Sequence, residues 1–221
     1  MLVNFSEKQK NYLLKVLPKG LVFSLKRIQL KGREQKEYEV WSETGRHPPA
    51  PHRYKQGIIR DYGKKFNLST LVETGTFLGL MMDAQISNFE KLISIELDQD
   101  LYNAASKRFK NCSSVSIIQG DSGEVIQQVV SQLKSPSLFW LDGHYSGGFT
   151  AKGKSECPIF DELRSILSSP FPHLILIDDA RCFDGTHDYP TLEALQAFSI
   201  KLKSNLSFNV LDDVIRLVPK I

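Results

Sequence analysis

From residue 54 onward the chain alternates short apolar runs with segments whose apolar residues recur at helical spacing. The short runs cover 70–73, 92–96, 115–119, 138–142 and 174–178, each bounded by polar residues or glycine, and they predict strands. Between them, 80–89, 99–109, 123–133 and 159–167 predict helices, the last with Ile159, Leu163, Ile166 and Leu167 on one face. Upstream, Ile58, Ile59, Tyr62 and Phe66 predict another helix over 54–66. Parallel neighbours need a crossover, and alternating helices supply it, so the pattern predicts a doubly wound α/β domain. The end breaks the rhythm. After a helix through Leu192, Leu195, Phe198 and Leu202, the runs LSFNVL and VIRLVP flank Asp212-Asp213, a link so short that only an antiparallel hairpin fits.

The first 53 residues read as an appendage. Ser6-Glu7-Lys8-Gln9 has the form of a capping box, and Leu13, Leu14, Val16 and Leu17 give a short helix its apolar side before Pro18-Lys19-Gly20 stops it. The run GLVFSLKRIQL is apolar and β-prone, which predicts a short strand, and RHPPAPH at 46–52 reads as an irregular joint to the main domain over 54–221.

Charge divides the chain at the same place. Residues 1–60 carry 13 Lys and Arg against 5 Glu, a balance of +8 inside a total of +3, so the body is acidic. A basic leader favours an anionic partner, and a solvated charged face is the plainer reading. The opening MLVNFSEKQK has no signal-like apolar block, and no apolar run approaches the roughly 20 residues that cross a bilayer, so a cytoplasmic protein is expected. Cys112, Cys157 and Cys182 are scattered, which favours reduced thiols over a disulfide or zinc framework.

Ligands of open α/β sheets bind beyond the carboxyl ends of the strands. Here those ends carry Glu73-Thr74-Gly75-Thr76-Phe77-Leu78-Gly79, Glu96-Leu97-Asp98, Gly120-Asp121-Ser122, Asp142-Gly143-His144-Tyr145 and Asp178-Asp179-Ala180-Arg181. The first turn is not the dinucleotide GxGxxG, because Phe77 stands where the pyrophosphate must approach the backbone. A cofactor with an amino-acid moiety, a ribose and an adenine suits the set better. Gly75 then makes the close turn, Glu73 meets a cationic group, Glu96 accepts the ribose hydroxyls, and Asp121 with Ser122 bonds the adenine edge.

The succession E-x-G-x-x-x-G, I-E-L-D at 95–98 and G-D-S at 120–122 resembles the class I S-adenosylmethionine-dependent methyltransferases, in particular the metal-dependent small-molecule O-methyltransferases of the catechol and macrocin type, over roughly 54–219. The resemblance implies that Glu73, Thr74, Gly75, Thr76 and Gly79 surround the methionine part, and that Glu96 and Leu97 lie at the ribose. Asp121 and Ser122 then lie at the adenine, and Asp142 borders both cofactor and acceptor. It further implies a divalent cation, Mg2+ or a similar hard ion, on Asp142, Asp178 and Asp179, where it would orient and acidify a substrate hydroxyl. Catechol-type enzymes carry a lysine base where this chain has Tyr145, so His144 becomes the candidate base, with Asp142 beside it. Lys152 and Lys154 of GHYSGGFTAKGKSE are placed to meet an anionic part of a small-molecule or glycan acceptor. The plainer readings remain open: close strand–helix packing for Gly75 and Gly79, and capping for the aspartates. Two other functions also remain open. One is a nucleic-acid methyltransferase, against which LDGHY lacks the prolines of the base-methylating turn, and the other is a cofactor-binding scaffold without turnover.

Overall fold

The computed structural model describes residues 17–143 and 157–220. In chain order these form α1 (Lys19–Glu43), α2 (His52–Lys65), β1 (Thr70–Thr74), α3 (Leu80–Gln85), β2 (Lys91–Glu96), α4 (Gln99–Phe109), β3 (Val115–Gln119) and α5 (Ser122–Gln132). There follow β4 (Leu138–Leu141), α6 (Ile159–Leu167), β5 (Leu174–Ile177), a 3-10 turn (Ala180–Cys182), α7 (Leu192–Leu202), β6 (Leu206–Leu211) and β7 (Val214–Pro219). The seven strands lie in the order β3-β2-β1-β4-β5-β7-β6. The first five are mutually parallel, and β7 runs antiparallel to both β5 and β6.

Strand alternation feeds two cores. Val72, Ile93, Ile95, Phe139, Leu141, Ile175 and Ile177 face α5, α6 and α7, where Ile126, Val129, Leu163, Ile166 and Leu195 meet them. Leu71, Leu92, Leu138, Trp140, Leu174 and Leu176 face the other way, toward Ile59 of α2, Met82 of α3 and Phe109 of α4. A sheet buried on both faces is why these strands read as continuous apolar runs.

The β6–β7 hairpin turns on Asp212 and Asp213, with φ of 51° and 64°. Two left-handed residues in succession give the turn whose twist matches that of the flanking strands, and aspartate is among the few residues that tolerate it.

The leader departs from expectation. Residues 20–30 are not a strand; they belong to α1, a helix of 25 residues that continues through the charged stretch KGREQKE. Local β propensity lost to packing: Phe23, Glu34 and Trp41 are buried, and their spacings of 11 and 7 residues correspond to about three and two helical turns. Gly45, at φ 88°, ends the helix, with Arg46 N–H returning to the Trp41 carbonyl at 3.1 Å. The expected helix around residues 6–17 and its capping box lie outside the described residues, save Leu17 itself.

α1 and α2 are tied to each other and to the far hairpin. Glu34 takes His52 Nδ1 at 3.0 Å and Gln56 Nε2 at 3.1 Å. Trp41 packs against Tyr54 with centroids 4.8 Å apart and the rings tilted by 45°. Arg46 pairs with Asp212, and the Tyr54 hydroxyl donates to the same carboxylate. Lys55, the next residue of α2, is thereby carried to the carboxyl edge of the sheet. Among the described residues no helix is long and apolar enough to cross a membrane.

Candidate functional site

The strand order reverses between β1 and β4, the usual place for a ligand crevice in such sheets. Thr74 Oγ1 closes the floor there, accepting the amides of Asp142 at 3.2 Å and Gly143 at 3.1 Å. Gly75 follows at φ 84°, and a Cβ on it would stand 2.5 Å from the Asp142 carbonyl oxygen. Gly79, at φ 69°, precedes α3 where a Cβ would meet the Phe109 ring at 2.9 Å. Both glycines are therefore demanded by backbone shape and close approach, whatever binds beside them.

On the β1–β2 side the acidic residues are held by hydrogen-bond donors. Glu96 is buried, and its two oxygens accept Phe77 N–H at 2.7 Å and Asp98 N–H at 2.9 Å. Burial raises its pKa while those amides oppose the rise. Each oxygen keeps a second lone pair, so the carboxylate is fixed in orientation and still able to accept. Glu73 is more enclosed. Ser94 Oγ donates to it and is itself 2.6 Å from Thr76 Oγ1. Burial pushes the Glu73 carboxyl up to about 8, against the Ser94 hydrogen bond and with help from the Glu96 charge, so it is protonated at neutral pH. Phe77, at φ 48°, packs with Phe23, Leu78 and Leu101 on the α1 side. Leu97 is half-buried, and its carbonyl takes Gln119 Nε2 at 3.2 Å.

Asp98 and Asp121 are helix caps. Asp98 accepts the amides of Asp100 and Leu101 at the start of α4, and Asp121 accepts Gly123 N–H at 3.0 Å at the start of α5. Ser122, buried at the first position of α5, lies against Gly143, where a Cβ would be 3.2 Å from its hydroxyl.

The β4–β5 side is organised differently. Asp178 is 1% exposed; its Oδ1 accepts Asp179 N–H at 2.8 Å and its Oδ2 accepts Lys55 Nζ at 2.5 Å. The same ammonium lies 3.6 Å from Asp179, which also takes Arg181 at 2.9 Å. Arg181 pairs in turn with Asp213. Burial pushes Asp178 up to about 6, opposed by Lys55 and assisted by Asp179. Asp142 is raised well above the carboxylate range by burial, then by Asp178, with Lys55 opposing. Burial would lower the Lys55 pKa, but Asp178, Asp142 and Asp179 outweigh it and hold the ammonium charged.

The predicted site residues that are described thus lie along one edge, and three residues absent from the prediction join them. Lys55 and Ser94 are two. The third is Glu162 of α6, completely buried beneath Ser122 and Thr74. Burial pushes its carboxyl up to about 7, and those two hydroxyls offset only part of the cost, since neither oxygen has a partner at ordinary hydrogen-bond geometry. Both missed charges had a signal. Lys55 stands one turn before Ile59, and Glu162 stands between Ile159 and Ile166, each on an apolar helical face. His144, Tyr145, Lys152 and Lys154 lie outside the described residues.

A divalent cation does not fit this arrangement. Among the described residues no three metal-ligating side chains are gathered as a site, and the ammonium of Lys55 engages Asp178 Oδ2 and lies near Asp179, where an ion would need to bind. An adenosyl cofactor fits better: a fixed carboxylate at the end of β2, a glycine turn that keeps side chains off the backbone beside it and a hydroxyl at the start of α5 are groups of the right kind.

No protein-family model and no curated protein matches the chain. Solved structures do. The S-adenosylhomocysteine-bound methyltransferase PaMTH1 of Podospora anserina aligns with 100% of this chain and 99% of its own, at 17% identity and a TM-score of 0.54. The O-methyltransferase TomG of Streptomyces achromogenes, in complex with S-adenosylmethionine, aligns with 97% of this chain and 100% of its own, at 13% identity and a TM-score of 0.56. An O-methyltransferase of Bacillus cereus in complex with S-adenosylhomocysteine covers 85% of this chain and 90% of its own, at 12% identity and a TM-score of 0.56. With a mostly parallel seven-stranded sheet finished by an antiparallel hairpin, the chain has the Rossmann-like methyltransferase fold.

Proposed function

We propose that this protein transfers the methyl group of S-adenosylmethionine to a hydroxyl of a small-molecule or glycan acceptor. The observation that carries this reading is Glu96, whose carboxylate is fixed at the end of β2 by Phe77 N–H and Asp98 N–H beside the Gly75 turn. A carboxylate so oriented accepts the two vicinal hydroxyls of a ribose. The bound cofactor would supply the electrophilic methyl; the chain supplies placement. The Gly75 turn presents backbone, without a side chain, toward the methionine part, and the neutral Glu73 offers a buried carboxyl toward its ammonium. Ser122 and Asp121, at the start of α5, are the groups assigned to the adenine edge on this reading.

On the acceptor side, Asp142 ends the wall facing the cofactor, and His144 follows as the proton acceptor suggested by the sequence. No step of this reading passes through a metal ion. The basic leader and the lysines at 152 and 154 favour an acceptor with anionic character.

Calorimetric titration with S-adenosylhomocysteine tests the reading. Binding to the wild type that Glu96→Ala weakens is expected, followed by methyl transfer in a screen of hydroxylated acceptors. Absence of binding to folded wild-type protein would overturn it; binding without transfer to any acceptor would favour a scaffold.

A further inference from the structure

The carboxylates ending β4 and β5 need positive charge, because groups enclosed this closely repel one another. The molecule supplies that charge from an element remote in sequence. Lys55 lies 123 positions before Asp178, on α2, and its side chain is 12% exposed. It is not a loose surface arm. The preceding residue, Tyr54, donates to Asp212, receives Arg216 at 3.2 Å and packs its ring against Trp41, so the first turn of α2 is pinned on two sides. Arg181 neutralises the outer flank of the cluster through Asp179 and Asp213.

We propose that Lys55 is the resident cation of this site: its ammonium, on Asp178 and near Asp179, takes the position a divalent ion would otherwise hold, and the protein works without one. An incoming ion would find Asp178 Oδ2 already engaged by an ammonium and Oδ1 engaged by a backbone amide. Hard divalent ions take about six or more oxygens at about 2.0 to 2.6 Å, a shell that an ammonium at hydrogen-bond distance from the same carboxylate excludes by charge and by volume. Lys55 thus acts as a positioning residue, holding Asp178 and Asp179 where they can orient an acceptor. The assignment rests on the methyl-transfer reading only for that last role.

Mn2+ binding followed by electron paramagnetic resonance decides the point on the full-length protein. Wild type should leave millimolar Mn2+ free, and its affinity for S-adenosylhomocysteine should be the same in Mn2+ and in EDTA. Lys55→Gln, which removes the ammonium, should acquire Mn2+ binding at least about tenfold tighter than wild type, a difference that adding Asp178→Asn abolishes. Lys55→Arg, which keeps the charge, should remain without Mn2+ and serves if the glutamine variant does not fold. Stoichiometric Mn2+ on wild type, lost in Asp178→Asn, would overturn the proposal, as would a folded Lys55→Gln variant that gains no Mn2+. Failure to bind S-adenosylhomocysteine is read separately; with Mn2+ still free in wild type, it would sink the methyl-transfer reading and leave the lysine assignment standing.

Discussion

The two halves of the sheet's carboxyl edge solve one problem in opposite ways. At β1 and β2, Glu73 and Glu96 are buried without a cation: one is protonated and accepts a serine hydroxyl, the other is ionisable and held by two backbone amides. At β4 and β5, Asp142, Asp178 and Asp179 face an ammonium brought in from α2. The first half is built from the adjacent strands β1 and β2 and their turns, which supply the Ser94 hydroxyl and the two amides. The second half depends on how α2 docks. On the proposed reading, a half with one amide-held carboxylate and no ammonium suits a cofactor whose own charge changes when it reacts, while a half carrying fixed opposite charges suits orienting an acceptor.

The largest expected effect breaks the second half. Lys55→Met leaves Asp178 buried without its partner, and removing one member of a buried pair typically costs about 3–5 kcal/mol. Urea unfolding at pH 8 should show a loss of that order. At pH 5 the loss should shrink, because Asp178, already raised to about 6, protonates instead of standing charged. Unchanged stability at pH 8 would mean that the ion pair does not hold this half together. Adding Asp178→Asn to Lys55→Met should restore much of the loss.

The next effect tests whether the first half is relieved by neutrality. Glu162, beneath Thr74 and Ser122, has a folded-state pKa of about 7 against an ordinary 4.5. The folded protein therefore binds the extra proton, and this group's contribution to stability falls as pH rises from about 4.5 to 7, then levels off. Glu162→Gln should abolish that decline and raise stability at pH 8 by about 2–3 kcal/mol. Melting temperatures across pH 4.5 to 8 check it; a glutamine variant less stable at pH 8 would show that the ionised carboxyl has a partner of its own.

A smaller effect sharpens the functional contrast. Glu96→Ala should weaken S-adenosylhomocysteine binding by roughly tenfold, about 1–2 kcal/mol, since it removes the hydrogen bonds of one fixed carboxylate. Asp179→Asn, in the other half, should leave that affinity within about twofold. Equal losses in both would erase the division between a cofactor half and an acceptor half.

How far this was legible in the sequence follows the range of the forces involved. The strands and most helices were readable because periodicity is local, and the hairpin was readable because its link at Asp212-Asp213 is too short for anything else. The position of Glu73, Gly75, Glu96 and Asp121 at the carboxyl ends of strands was readable because the strands themselves were, while their binding roles belong to the proposal. α1 was not, since an apolar run of eleven residues suits either period until the distant partners of Phe23 and Trp41 are known. Lys55 and Glu162 were overlooked for a related reason. A charge on an apolar helical face announces an internal partner without saying where it lies, and here the partners are contributed by β5 in one case and by β1 and α5 in the other.

The smallest effect comes from the opposite edge and controls for burial alone. His173, 2% exposed just before β5, accepts Ser137 N–H at Nδ1 at 3.1 Å and places Nε2 2.9 Å from Ser169 Oγ. With Nδ1 already accepting, the ring is neutral with its proton on Nε2, and a second proton would break the Ser137 bond. Burial, aided by the Lys203 charge, lowers its pKa to about 4. The sign is the reverse of that for Glu162. A base depressed on folding contributes stability that is complete above its unfolded value near 6.5 and is lost as pH falls through about 6.5 to 4. At pH 5.5 the wild type should have lost about 1 kcal/mol relative to pH 7.5 through this residue, and His173→Gln should remove that part of the acid limb. If the limb persists unchanged in the glutamine variant, acid sensitivity belongs to a carboxyl that folding lowers, such as Glu34 beside His52, and not to Asp178, whose raised pKa makes the folded protein take up a proton as pH falls.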